Sequence, residues 1–222
     1  MVENGAGRSL ICVIDDDVDV RDSLEMLLRS ADYNVRSFAG PEEFLACDTV
    51  DAAECLILDI NLGGANGLDF QEELRKNATT VPIILISGFG DVPMTVRGMK
   101  AGAITFLMKP FDEAAMLMAI DEALASNSAR RQEMAVLASV QDRYESLTTR
   151  ERQVFGLVTA GLMNKQMAGR LEISEITVKI HRGNMVKKMR ADSVADLVRL
   201  AEVLGVREDA TRYNRRLGQV AG

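Results

Sequence analysis

The sequence predicts an α/β fold, a five-stranded doubly wound parallel sheet, followed by an all-α module of four helices. Three observations carry this expectation. Between residues 10 and 125, short apolar runs alternate with segments of helical period, the pattern of strands joined by crossover helices. Residues 147 to 205 keep helical periodicity alone, with no strand signal. Charge divides in the same way: residues 1 to 128 carry 9 Lys and Arg against 22 Asp and Glu, net −13, whereas residues 129 to 222 carry 17 against 11, net +6. An acidic module suits bound cations and a basic one a polyanion, and 222 residues hold two small domains comfortably.

The first strand is the apolar run at 10 to 14, and Val20, Leu24, Leu27 and Leu28 follow at helical spacing. A second strand at 33 to 38 leads to Pro41, which suits a first helical turn, with Phe44 and Leu45 after it. The third strand is 55 to 58. Residues 67 to 76, with Leu68, Phe70 and Leu74, form a third helix, and 82 to 86 is a β-branched fourth strand. Asp91 and Pro93 open a fourth helix that closes at Ala101-Gly102, where glycine takes up the left-handed cap. Residues 103 to 108 make the fifth strand. A last helix at 112 to 125 turns Met116, Leu117, Ile120 and Leu124 inward. Right-handed crossovers then cover both faces of a parallel sheet.

Residues 127 to 146 read as a linker, helical in part, with Met134, Leu137, Gln141 and Tyr144 in an approximate apolar stripe that could pair with its counterpart in a dimer. Residues 206 to 222, with Arg212, Arg215 and Arg216, form a tail with little to bury. Cys12, Cys47 and Cys55 are odd in number and lack metal-ligand spacing, so they read as reduced packing residues. No signal segment and no apolar run of membrane-spanning length is present, so the expected location is cytoplasmic.

The chemistry sits at strand ends. Asp59 closes the apolar run Cys55-Leu56-Ile57-Leu58, the first strand runs into Asp15-Asp16-Asp17, and the fifth into Lys109-Pro110. In a parallel sheet these ends converge, gathering acids and one lysine in a small volume. Carboxylates so close need a cation between them, so the group suits Mg²⁺ (or Mn²⁺) and a phosphoryl group, with Asp59 as nucleophile. A carboxylate attacking a phosphorylated donor gains most from neutralised equatorial oxygens, which a metal and a lysine provide together.

Asp15, Asp16, Asp59, Ser87 and Lys109, each just after a strand, resemble the pattern of two-component response-regulator receiver domains, a flavodoxin-like fold, over residues 8 to 126. Ser87-Gly88-Phe89-Gly90-Asp91-Val92-Pro93-Met94, then Met99-Lys100-Ala101-Gly102-Ala103 and Lys109-Pro110-Phe111, resemble the NarL/FixJ subfamily in particular. The resemblance implies that Asp59 accepts the phosphoryl group and Lys109 holds one of its oxygens. It also implies that Asp16, Asp59 and the carbonyl of Asn61 bind Mg²⁺ directly and Asp15 through water. Ser87 and Phe106 become a switch pair, the hydroxyl moving to the phosphoryl group and the ring turning inward, and Lys109-Pro110 a cis bond. Relatives commonly carry proline at position 63, so Gly63-Gly64 implies a more mobile loop. Bulky Phe89 implies slow loss of the phosphoryl group.

In the basic module, Thr148-Thr149-Arg150-Glu151 is a capping box that opens a helix with Val154, Leu157 and Val158 inward, ended by Gly161. Asn164 caps a short helix over 165 to 171, residues 173 to 175 turn tightly, and a basic helix runs from 176 to 190. Ser193 opens a last helix to Leu204. This order is that of a helix-turn-helix, whose second helix enters the major groove. Leu147-Thr148-x-Arg150-Glu151, Gly161-x-x-Asn164-Lys165 and Ile173-Ser174-x-x-Thr177-Val178-Lys179-x-His181 resemble the LuxR-type DNA-binding domain, here over residues 147 to 205. Val178, Met185 and Met189 pack inward, while Lys179, Arg182, Gly183, Val186 and Lys187 lie largely opposite. Lys179 and Ile180 are expected near base edges, with Thr177 beside them and Arg182, Asn184 and Lys187 at phosphates. His181 has no second ligand at metal spacing and reads as a packing residue.

Together the two resemblances imply a DNA-binding transcriptional regulator controlled by phosphorylation, which forms a homodimer when phosphorylated and binds promoter DNA, is served by a sensor histidine kinase, activates through RNA polymerase and is not itself an enzyme. A Mg²⁺-dependent aspartyl-phosphate phosphatase is the alternative; it would want a carboxylate at position 61, where Asn61 stands. A regulator that binds DNA without phosphate control is the other.

Overall fold

The computed structural model describes residues 8 to 77 and 79 to 206. The predicted tail beyond 206 lies outside the described residues. The chain divides into two compact units between Arg131 and Gln132.

In the first unit, strands β1 (Leu10–Ile14), β2 (Asn34–Phe38), β3 (Cys55–Asp59), β6 (Ile83–Ser87) and β7 (Thr105–Met108) form one parallel sheet in the order β2-β1-β3-β6-β7. The five predicted strands are present, with ends shifted by a residue or two. Cys55–Asp59 and Ile83–Ser87 are buried throughout, as central parallel strands covered on both faces must be. Side-chain alternation sorts their residues between two cores. Ile11, Val13, Cys55, Ile57, Ile84 and Ile86 face helices α1 (Val18–Ser30) and α5 (Glu113–Glu145), which supply Leu24, Leu28, Met116 and Ile120. Cys12, Ile14, Leu56, Leu58 and Leu85 face α2 (Pro41–Leu45), α3 (Gly67–Lys76) and α4 (Val92–Lys100), whose Phe44, Leu68, Phe70 and Leu74 complete the second layer. The strand order reverses between β1 and β3, so the ends carrying Asp15 and Asp59 flank the crevice where such sheets hold ligands.

Two features depart from expectation. The segment around Gly63-Gly64, expected as a loop, is a small antiparallel hairpin, β4 (Asn61–Leu62) with β5 (Ala65–Asn66), turned by Gly63 at φ +59° and Gly64 at φ +151°. Two glycines between short strands satisfy the positive φ values that a tight hairpin turn demands, and proline, fixed near −65°, cannot occupy position 63 here. The second departure is α5. It does not stop near residue 125 but continues to Glu145, so the predicted linker is helical almost throughout. Its side chains change role along its length: Met116, Ala119, Ile120 and Ala123 pack on the sheet, residues 131 to 138 are all exposed, and Tyr144 stacks edge-on against Phe155 with centroids 5.4 Å apart.

In the second unit, α6 (Thr149–Thr159), α7 (Asn164–Leu171), α8 (Glu175–Met189) and α9 (Val194–Val203) enclose Val154, Phe155, Leu157, Val158, Met167, Val178, Met185, Met189 and Leu197. The capping box at α6 is formed: Thr148 Oγ1 accepts from the Glu151 amide at 3.3 Å, and Glu151 Oε2 accepts from the Thr148 amide at 2.8 Å. Ser174 and Ser193 cap α8 and α9 by the same chemistry. Asn164 does not cap α7. It is the first helical residue, and Gln166 Oε1 instead accepts from the Met163 amide. Val186, expected to face outward, packs partly into the core.

Candidate functional site

At the carboxyl edge of the sheet, β1 delivers Asp15, β3 delivers Asp59, and the turn after β7 delivers Lys109. Asp15 is fully buried and Asp59 only 4% exposed. Lys109 Nζ lies 2.6 Å from Asp15 Oδ2 and 3.3 Å from Asp59 Oδ1. The other Asp15 oxygen accepts from the Asp17 amide at 2.9 Å, and its carbonyl from Arg21 at 2.7 Å, which fixes the carboxylate in place. Asp16, exposed at the rim, completes a trio in which each residue offers one carboxylate oxygen within 4.8 Å of the others, the one such group of metal-ligand side chains among the described residues. Lys109-Pro110 is cis.

Burial pushes the Asp59 carboxyl above its ordinary value; Lys109 and the Asn61 amide pull it down, while Asp15 pushes it further up. Burial alone would lower the Lys109 ammonium, but its hydrogen bond to Asp15 and the charges of both acids hold it above its usual range. Asp59 Oδ1 is buried and has no hydrogen-bond donor; the lysine at 3.3 Å reaches it as a charge rather than along a bond. A buried oxygen of this kind beside two more hard oxygen donors is what a small divalent cation satisfies, so the residues present fit Mg²⁺ or Mn²⁺.

Two glycines that sequence reasoning did not assign to the site shape it. A Cβ on Gly67 would stand 2.1 Å from the Asp59 carbonyl oxygen, and one on Gly63 would stand 2.8 Å from Asp16 Oδ2. The Gly-Gly pair was the available signal for the hairpin, since that dipeptide is a strong two-residue turn former. Nothing local in the sequence marked Gly67.

Ser87 ends β6, fully buried, but its hydroxyl donates to the Phe89 carbonyl at 2.7 Å and so faces its own loop. Phe89 is 82% exposed. Phe106, half-buried on β7, packs against the α2–α4 core, and its ring tip lies beside Gly90, where a Cβ would meet Cζ at 3.0 Å. The predicted site residues Asp15, Asp16, Asp59 and Lys109 are thus brought together, with Asn61 donating its amide to Asp59. Ser87 and Phe106 both lie against the loop that carries Phe89 and Gly90.

On α8, Lys179, Ile180, Gly183, Asn184 and Lys187 are exposed. Thr177 is half-buried, 2.8 Å from the Ser174 hydroxyl at the helix start. Arg182, expected at a phosphate, is half-buried against α7, where Nη1 donates to Asn164 Oδ1 at 2.9 Å. Lys188, unremarked in the sequence, lies 2.7 Å from Glu151 Oε2, a carboxylate buried at 4% exposure. That pair ties the recognition helix to the α6 cap. Ile176, 72% exposed on the first turn of α8, was also missed.

Comparison with known proteins assigns both units. Residues 11–121 match the response regulator receiver domain, and residues 145–201 match the bacterial regulatory proteins of the luxR family. The chain is a response regulator. Nodulation protein W of Bradyrhizobium diazoefficiens is 44% identical over 94% of this chain and 92% of its own length. TodT of Pseudomonas putida is 43% identical over 88% and 86%, and FixJ of B. diazoefficiens 37% over 90% and 97%, which sets this response regulator in the NarL/FixJ subfamily. The solved structure of the response regulator StyR superposes with a TM-score of 0.79 at 45% identity, covering 88% of this chain and 99% of StyR. Full-length FixJ aligns with a TM-score of 0.54 at 36% identity, over 91% of this chain and all of FixJ. As a response regulator with a receiver and a LuxR-type DNA-binding domain, the protein works with a sensor kinase and DNA. No helix among the described residues is long and apolar enough to cross a membrane.

Proposed function

We propose that Asp59 is the phosphoryl acceptor of a two-component pathway and that its phosphorylation drives dimerisation and promoter binding. The observation that carries this reading is Lys109 bridging Asp15 and Asp59, with one Asp59 oxygen buried and unpartnered. A carboxylate oxygen of Asp59 attacks the phosphorus of a phosphohistidine on the sensor kinase; a P–O bond forms, the P–N bond breaks, and the imidazole leaves with its electron pair. Lys109 balances negative charge as it spreads over the equatorial oxygens, and it does so from a position already fixed by Asp15. Asp16, Asp59 and the Asn61 carbonyl would hold Mg²⁺ directly, with Asp15 assisting through water. The ion's contribution is to neutralise phosphoryl charge.

The regulator is not an enzyme for external substrates. Position 61 offers an amide where a phosphatase of this chemistry needs a carboxylic acid to serve the leaving group. Ser87 and Phe106 form the switch. To reach a phosphoryl oxygen, Ser87 Oγ must release the Phe89 carbonyl, which moves the loop that carries Gly90 against the Phe106 ring. Loop and ring then rearrange together, biasing a pre-existing equilibrium. The output face is α4 with β7, where Val92, Val96, Met99 and Met108 are exposed and available to a second copy. Two modules so paired place two α8 helices on a two-fold operator, from which the dimer activates RNA polymerase.

The test is size analysis of the full chain with and without Mg²⁺ and beryllofluoride, which stands in for the phosphoryl group. A shift from monomer to dimer is expected, absent in Asp59→Asn. A single unchanged species in both conditions contradicts the proposal.

A further inference from the structure

We infer that the receiver carries a second binding site, for a small organic anion with an apolar portion, in a cleft at the sheet edge remote from Asp59. The cleft has a volume of about 310 Å³ and opens beside the amino ends of β6 and β7. All five strands are parallel, so this edge is opposite the one that gathers Asp15, Asp59 and Lys109.

Charge is the first argument. Residues 1 to 128 contain 22 acids against 9 bases, yet no Asp or Glu lines this cleft, whereas Arg75 and Arg130 both do. Neither guanidinium pairs with a carboxylate among the described residues: Arg75 donates to the Lys100 carbonyl at 3.2 Å, and Arg130 to the Thr80 carbonyl and to Asn127 Oδ1 at 2.9 Å. Two cations held on neutral oxygens at one concavity lack a counter-ion, and a carboxylate supplies it with charge-assisted bonds.

The second argument is an unpartnered donor. Arg130 Nε is buried and makes no hydrogen bond. Asn127, itself almost fully buried and anchored to the Glu54 carbonyl at 3.2 Å, holds this guanidinium where it is. Burial, with Arg131 adjacent, pushes the Arg130 guanidinium below its usual value, the sign of a cation short of compensation. Thr79, Thr80 and Ser126 add polar groups at the rim.

The apolar share of the lining sets the ligand class. Leu74, Val81, Pro82 and Ile104 form the rest of the wall, and the volume is at the lower end of small-molecule sites. An inorganic anion would leave that wall wet; an organic carboxylate of about ten heavy atoms covers it. Arg130 lies in α5 one residue before the boundary between the two compact units, so a ligand that joins it to residues 79 to 82 fastens that turn of the helix to the sheet.

The test uses hexanoate as the probe, titrated calorimetrically into the full chain in EDTA, with inorganic phosphate as a parallel probe. One saturable hexanoate site is expected, together with slower amide exchange over residues 126 to 131. Arg130→Gln should weaken binding by at least about tenfold, the loss of one charge-assisted bond. Because Arg130 also holds Thr80, Ser126→Leu provides a second route: it fills the cleft and keeps both arginines, and it should abolish the site with the unfolding temperature unchanged. Absence of saturation up to about 10 mM, a concentration at which even millimolar sites fill, overturns the inference. So does equal binding by wild type and both variants, or phosphate binding in place of hexanoate.

Discussion

Asp59→Asn should stabilise the receiver in the absence of metal. The opposing terms at this residue are close enough in size that the outcome has to be worked out. At an effective dielectric constant of about 20, Lys109 at 3.3 Å attracts the Asp59 carboxylate by about 5 kcal/mol. Asp15, with its oxygen within 4.8 Å and its charge fully buried, repels it by at least about 3.5 kcal/mol. Exposed Asp16 adds about 1 kcal/mol in a medium closer to water. Those charges nearly cancel. What remains is the cost of burying a carboxylate that is only 4% exposed, still several kcal/mol after relaxation, and the Asn61 amide recovers only part of it. Asparagine keeps the shape and loses the charge, so we expect about 1–2 kcal/mol of added stability, or roughly 3–8 °C for a domain of this size. The pH dependence follows from the raised carboxyl of Asp59. Its folded-state pKa lies above the unfolded one, so the folded form binds the proton more tightly and wild type loses stability as pH rises through the folded value. The gap between variant and wild type should therefore be full at neutral pH and close as pH falls below about 3.9. Thermal unfolding in EDTA, followed across pH, measures it, and added Mg²⁺ should raise wild type more than the variant. A variant that is no more stable than wild type at pH 7, or a gap that widens in acid, refutes the reasoning.

Other changes test other contacts. Gly67→Ala places a Cβ at 2.1 Å from the Asp59 carbonyl, a clash with backbone that cannot swing aside, so loss of about 3 kcal/mol or more is expected in urea unfolding of the receiver. Lys188→Met leaves the buried Glu151 without its ammonium; with Lys188 itself partly exposed, about 2 kcal/mol of destabilisation is expected in the C-terminal domain, and an unchanged midpoint would show the pair to be neutral. Lys179→Ala should cost about 1–3 kcal/mol at one operator base pair in a binding titration, whereas Lys187→Ala should weaken all sequences alike and lower the salt slope by about 1. Phe89→Ala should speed loss of the phosphoryl group, since the bulky ring at the mouth of the loop is removed; an identical decay rate by phosphate-affinity electrophoresis would dismiss that role.

The pattern of legibility follows the range of the forces involved. Strands β3 and β6 were readable because a strand covered on both faces must be apolar at every position, and the helices of the second unit because their caps are local hydrogen bonds spelled by residues three apart. Helix α5 was cut short at residue 125 because its apolar packing on the sheet ends there and residues 131 to 138 bury nothing, while its backbone continues. The bond from Arg182 to Asn164 was not readable from a helical wheel, because a wheel contains no second helix and the partner stands on α7.

The sequence alone thus determined the parallel sheet, the capped helices and the identity of the acids and lysine at strand ends, since each depends on local periodicity or on residue type. Tertiary structure decided which of these groups meet. Only the strand order β2-β1-β3-β6-β7 sets Lys109 between Asp15 and Asp59, and only the close pass of Gly67 over the Asp59 carbonyl requires a residue without a side chain there. Contacts between residues 50 to 94 positions apart leave no periodic trace in a chain, because they are selected by packing in three dimensions rather than by the spacing of neighbours.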